Sequence, residues 1–159
     1  MADCKPYTTP LDPSFSLTSD QCPTTDEEKQ AMATVPYRQA VGRLNYLAVS
    51  TRPDIAAAVS IVSRFSHNPG IQHWGAVKHI LSYLKGTINY SLRVSPSNMT
   101  LAGYSDANWG GDPDNRRSTS GYCFFLGGSL VSWKSIIQKL FLYQLWKPNI
   151  KLLVPLFKN

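Results

Sequence analysis

Between residues 37 and 87, apolar side chains recur at three- and four-residue intervals, the spacing that lines one face of a helix. Tyr37, Val41, Leu44 and Leu47 or Ala48 predict a helix over Tyr37–Ser50. Ile55, Val59, Val62 and Phe65 predict a second from Pro53 to about His67. Trp74, Val77, Ile80, Leu81 and Leu84 predict a third over about Gln72–Lys85. The punctuation agrees. Thr51-Arg52-Pro53-Asp54 puts proline at a first helical position and an acid in the first turn, where the helix dipole favours it. Asn68-Pro69-Gly70 stops the second helix, and Gly86 stands where a left-handed cap would close the third.

After Gly86 the period changes to two. Ile88, Tyr90, Leu92 and Val94 alternate with Asn89, Ser91 and Arg93, the pattern of a half-buried strand. Pro96-Ser97-Asn98 turns the chain into a second strand, Leu101 to Asp106. Residues 107–118 read as a polar loop. Gly121–Leu126 and Leu130–Lys134 follow as two strands joined by Gly127-Gly128, a strong hairpin signal. The fold class is therefore α+β, a helical block followed by an incomplete antiparallel sheet.

The two ends lack these periods. Residues 1–36 carry Pro6, Pro10, Pro13, Pro23 and Pro36 and read as an extended linker or arm with little to bury. Within it Thr25-Asp26-Glu27-Glu28 can cap a brief helix. Residues 139–159 form a tail of another kind: Leu140–Trp146 is apolar on every face, and Lys147-Pro148 interrupts it. That composition suits self-association better than an amphipathic helix. The expected organisation is 1–36 linker, 37–87 helical region, 88–138 sheet region and 139–159 tail.

Charge alters the picture in one respect. The net charge is +6 and unevenly placed, because no Asp or Glu follows Asp114 while Arg116, Arg117, Lys134, Lys139, Lys147, Lys151 and Lys158 do. A basic half favours an anionic partner such as nucleic acid, with a solvated basic surface as the plain alternative. Cys4, Cys22 and Cys123 are widely spaced and not joined by histidines at zinc-ligand intervals, so reduced thiols are expected. No apolar run reaches the roughly 20 residues of a membrane span or resembles a signal peptide. A cytoplasmic or nuclear setting without membrane contact is the expectation; oligomeric state is not legible.

The chemistry centres on Asp106, at the end of an apolar stretch and followed by a small residue. A nuclease strand presents its first metal-binding carboxylate in this way, yet such sites need several carboxylates around one or two divalent ions. Asp112-Pro113-Asp114 reads as turn chemistry rather than a second acidic pair. Arg116 and Arg117 are candidate phosphate contacts, with a solvated loop of similar weight. His73 and His79 lie six apart, a poor spacing for a shared metal. Trp74 and Trp109 suit packing better than base stacking.

Longer runs of residues carry a resemblance. Cys4-Lys5-Pro6 with Thr9-Pro10-Leu11-Asp12-Pro13, Tyr37-Arg38, Ala40-Val41-Gly42, Thr51-Arg52-Pro53-Asp54-Ile55 and Tyr83-Leu84-Lys85-Gly86-Thr87 occur in that order. Gly103-Tyr104-Ser105-Asp106-Ala107, Arg116-Arg117-Ser118-Thr119-Ser120-Gly121-Tyr122 and Ser132-Trp133-Lys134-Ser135 follow. Together they resemble the C-terminal part of the Pol polyprotein of copia-type LTR retrotransposons, from about Cys4 to Gln138. The resemblance implies the helices after a reverse transcriptase palm and the start of a ribonuclease H domain, which cuts the RNA of an RNA–DNA hybrid with magnesium. It places Asp106 as the first catalytic, metal-binding aspartate. The family's next catalytic residue is a glutamate in a Ser/Thr-Glu-Ala-Glu-Tyr pattern shortly after the Trp-Lys-Ser segment, and Lys139–Asn159 contains none. Asn108 replaces an aspartate usual in the family. The expectation is a truncated Pol fragment, catalytically inactive alone and without a bound cofactor. The alternative is a noncatalytic nucleic-acid- or protein-binding module reused from the element, with weak contact to RNA–DNA hybrid or other nucleic acid.

Overall fold

The amphipathic spacing becomes helix where it predicts one. In the computed structural model, which describes residues 4–12, 14–95, 100–108, 110–138 and 150–155, α1 is Asp26–Ala33, α2 Tyr37–Ser50, α3 Ala56–Ser63 and α4 Ile71–Gly86. The strands are β1 Thr100–Ala107, β2 Thr119–Leu126, β3 Ser129–Ile137 and β4 Ile150–Pro155. The chain divides into two compact units, Met1–Tyr90 and Ser91–Asn159.

In the first unit, α2 buries Tyr37, Val41, Leu44 and Ala48, leaving Leu47 outside. Ile55, Val59, Val62 and Phe65 meet them from the α3 segment, and Val77, Ile80 and Tyr83 from α4. Burying each large aliphatic residue contributes about 1.5–3 kcal/mol. The Tyr37 hydroxyl donates to the Val62 carbonyl at 2.8 Å, so its one polar atom is satisfied inside this core. Burial and, secondarily, the neighbouring Cys22 push that phenol well above its ordinary range. The second predicted helix is shorter than its apolar run: Pro53–Ile55 is a 3-10 turn, α3 stops at Ser63, and Phe65 packs from the turn beyond.

Residues before α1 do more than link. Leu17 is buried, and Leu11 and Cys22 pack on the same core. Thr25 caps α1 as its acidic run suggests, accepting from the Glu28 N–H while the Glu28 carboxylate accepts from Thr24 and Thr25. Gly86 is not a left-handed cap. It is the last residue of α4, and a Cβ there would lie 2.8 Å from Cβ of Pro6. The glycine makes room for the arm.

The strand expected over Ile88–Val94 does not form. The chain turns at Thr87–Tyr90 through a Tyr90 N–H to Thr87 carbonyl bond of 3.0 Å, and Ile88, Tyr90 and Val94 are exposed. Alternation alone specifies no strand without a neighbour to receive its hydrogen bonds.

In the second unit the sheet runs β3-β2-β1-β4, each neighbouring pair antiparallel. Gly127 and Gly128 both take positive φ, 57° and 81°, which the tight hairpin between β2 and β3 requires. Val131 is an extra residue on β3, since Phe124 pairs with Ser132 and Phe125 with Leu130. The Phe124 ring lies over Gly103, where a Cβ would sit 2.6 Å from Cε1. Beyond the predicted strands, Ile150–Pro155 of the tail pairs with the other edge of β1. The expectations for Trp109 and for Leu140–Trp146 fall outside the described residues.

Candidate functional site

Asp106 stands one residue from the end of β1, opposite Gly121 of β2. The pleat puts it on the face shared by Tyr104 and Phe125, whose rings meet edge-on at 5.8 Å. Its carboxylate is exposed, and Oδ1 accepts from the Ala107 N–H at 2.8 Å. It is the only carboxylate carried by any of the four strands. Asp112 and Asp114 lie apart from the strands, in the loop that follows. The Asp112 Oδ1 accepts from the Asp114 N–H at 3.1 Å, and the Asp112 main chain bonds Arg116 at 2.8 Å and Arg117 at 3.1 Å. These residues shape the loop in the manner of turn aspartates.

Asn108 closes the loop at its base. Its Oδ1 accepts from the Thr119 N–H at 2.6 Å, and its own N–H donates to the Thr119 carbonyl at 3.0 Å. The loop presents Arg116 and Arg117 to solvent, with Arg116 at a φ of 57°, uncommon for a side chain with a Cβ. Among the described residues no group of three or more His, Cys, Asp and Glu side chains is placed to hold a metal ion. A magnesium pair needs several convergent carboxylate oxygens, so the residues present around Asp106 do not fit one.

Two further sites emerge that sequence spacing did not mark. The first is a buried polar cluster around Arg52. Its Nε and Nη2 donate to the Asp54 carboxylate at 3.0 and 2.7 Å, and its Nη2 also to Thr87 Oγ1 at 2.6 Å. Tyr83 donates to Asp54 Oδ2 at 2.8 Å, and the rings of Tyr83 and Tyr90 lie 5.6 and 5.8 Å from the guanidinium carbon. Burial raises the Asp54 pKa, but hydrogen bonds from Arg52 and Tyr83 and the Arg52 charge outweigh it and hold the group below its ordinary value. Burial, then the bond to Asp54, push the Tyr83 phenol up. Every member has partners inside the protein, which marks the cluster as structural.

The second is the outward face of α2. Arg38, Gln39, Gly42, Arg43, Tyr46 and Leu47 line a shallow hollow of about 580 Å³. Tyr46 is 72% exposed, and a Cβ at Gly42 would touch nothing within 4 Å. Arg38 is committed to the Ser66 and His67 carbonyls at 2.7 and 3.2 Å. Arg43, Tyr46 and Gln39 therefore face outward around a glycine that no internal contact explains.

Comparison with known proteins decides the ancestry. The chain is 52% identical over 139 residues to the retrovirus-related Pol polyprotein from transposon TNT 1-94 of Nicotiana tabacum. It is 44% identical over 142 residues to that from transposon RE1 of Arabidopsis thaliana. The chain is a homologue of the retrovirus-related Pol polyproteins of plant transposons. Each alignment covers 87% of this chain, but only 10% of the tobacco Pol polyprotein and 9% of the RE1 one. The Pol homologue is also 50% identical over 109 residues to secreted RxLR effector protein 161 of Plasmopara viticola, covering 68% of this chain and 77% of that one. No family model and no solved structure matches it.

Proposed function

We propose that this Pol homologue is a segment of a copia-type polyprotein, comprising the helices after the polymerase palm and the first strands of a ribonuclease H-like domain. On its own it binds nucleic acid weakly and catalyses nothing. The observation that carries this reading is the isolation of Asp106, the one carboxylate in four strands, at the point where the family places its first metal ligand. A lone carboxylate does not hold two hydrated divalent ions or polarise a phosphodiester between them. The test is incubation of the chain with an RNA–DNA hybrid and magnesium or manganese. No cleavage is expected; metal-dependent cleavage that vanishes in Asp106→Asn would overturn the reading.

The binding half rests on a separate surface. Arg43 and Tyr46 flank Gly42 on the open face of α2, which combines a cation, an amphipathic ring and a position without a side chain. Such a face lets a sugar-phosphate backbone approach closely, and in the second unit the exposed Arg116 and Arg117 offer phosphate contacts of their own. A relative of which this region makes up 77% supports a role for the region outside a full Pol polyprotein. Salt titration separates this from a mere relic, because phosphate binding weakens steeply with potassium chloride.

A further inference from the structure

The arm before α1 runs along α4 in the opposite direction, and α4 is built to hold it. At the start of the helix, a Cβ on Gly70 would lie 2.0 Å from the Gln21 carbonyl oxygen. At its end, a Cβ on Gly86 would lie 2.8 Å from Pro6. Between these two openings, side chains of α4 reach the arm in order. His73 Nε2 meets the Thr18 carbonyl at 3.1 Å, and His79 Nε2 meets the Thr9 carbonyl at 3.0 Å. Ser82 donates to the Cys4 sulfur at 3.3 Å, and Lys85 Nζ to the Cys4 carbonyl at 2.9 Å. Tyr7 of the arm stacks on His79 at 3.8 Å. Most of these bonds go to main-chain carbonyls, so the track reads the arm's irregular, proline-bearing backbone, which bends at residues 8–11 and closes a 3-10 turn at Ser19–Gln21, more than its side chains.

His73 differs from the other contacts. It is fully buried, stacked on Phe65 at 3.9 Å, and its Nδ1 accepts the Gly70 N–H at 2.8 Å. Nε2 must then carry the only ring proton in order to donate to Thr18. Both bonds hold only in the neutral ring, because a second proton on Nδ1 would point at the Gly70 N–H. The positive end of α4 lies at the same place. The elements packed around the ring also carry ionisable groups: Asp12, Asp20 and Cys22 in the arm, Tyr37, Arg38 and Arg43 on α2, Lys78, His79 and Lys85 on α4, and Arg64 and His67 after α3, the Arg64 guanidinium 5.1 Å from the Phe65 ring. His79 has no such conflict, since its Nε2–H bond survives protonation.

The geometry points to a proton-gated strap: α4 is a track for an irregular, proline-bearing peptide, the arm of residues 4–12 and 14–21 is its occupant, and a proton on His73 Nδ1 releases that occupant while α2 to α4 stay folded. The released state binds the extra proton, on His73 of α4, so lowering pH favours release. The ordinary imidazole pKa of about 6.5 places the readable range between about pH 7.5 and pH 5.

Hydrogen exchange of the full chain, corrected for the intrinsic rate at each pH, tests this. Amides of residues 14–22 are expected to lose at least tenfold in protection between pH 7.5 and 5, while those of α2 and α4 keep theirs. His73→Gln, which offers an acceptor and a donor that do not titrate, should abolish the pH dependence whether its arm is held or loose. His79→Gln should retain it. If His73→Gln does not fold, Gly86→Ala serves instead; it should loosen residues 4–8 at both pH values and leave the pH response of residues 14–22 intact. Equal protection of the wild-type arm at both pH values, or loss of arm and helix protection together, would overturn the proposal. So would a pH response that survives in His73→Gln.

Discussion

Arg52 and Asp54, separated only by Pro53, form a two-pronged ion pair with its shortest contact at 2.7 Å, and the arginine side chain is 10% exposed. Proline fixes the turn that brings them together, and Thr87, Tyr83 and Tyr90 close around the guanidinium. The pair ties the entry of α3 to the exit of α4. Removing one partner from a buried pair costs about 3–5 kcal/mol, and the 31% exposure of Asp54 reduces that figure here. Arg52→Ala should therefore lower stability by about 2–3 kcal/mol in urea unfolding, and Arg52→Lys should recover little, because an ammonium cannot reproduce the fork.

Acid should attack the same cluster. The Asp54 pKa is held below its ordinary value in the folded chain, so its contribution is fully present above the unfolded pKa of about 3.9. It is lost as pH falls through the lower, folded value. The melting temperature should fall below about pH 4, and Asp54→Asn should start lower and flatten that decline.

Glycines at three positions should respond in opposite senses. Gly42 lies inside α2 with open space around it, so Gly42→Ala should stabilise the chain by about 0.5–1 kcal/mol. The same change should weaken nucleic-acid binding by placing a methyl group on the α2 face. Gly70→Ala and Gly86→Ala drive a methyl group into the arm and should destabilise by about 1–3 kcal/mol. Thermal melts of the three variants check the signs.

The tail's β4 strand covers one edge of β1. Ending the chain at Gln138 should expose that edge and promote self-association, as unpaired strand edges do. The composition of Leu140–Trp146 suggests the reverse, greater solubility once the tail is gone. Sedimentation of both forms at equal concentration distinguishes them: association of the shortened chain supports the covering role of β4.

These outcomes also mark where the sequence was legible. The bounds of α2 and the Gly127-Gly128 hairpin follow from local period and turn chemistry, and both stand in the structure. Ile88–Val94 misled because a period of two describes a strand's faces but names no partner for its backbone. Asp54 read as a dipole-complementing residue, whereas its carboxylate is held by Arg52 and Tyr83, the latter 29 positions away in the chain. His73 and His79 offered no metal spacing, and their bonds to backbone carbonyls have no sequence signature at all. The α2 face could have been suspected from Gly42, a poor helix former in the middle of a strong helix. That Asp106 is the one carboxylate on the four strands follows from the sequence once their bounds are known.

One measurement bears most directly on binding without catalysis. A labelled RNA–DNA hybrid is titrated with the full chain in magnesium, following anisotropy and strand integrity in the same samples across a potassium chloride series. Binding should fade steeply with salt and weaken in Arg43→Ala and Tyr46→Ala, with the RNA strand intact throughout. Cleavage of the RNA strand that requires the metal and Asp106 would contradict binding without catalysis, as would binding indifferent to salt.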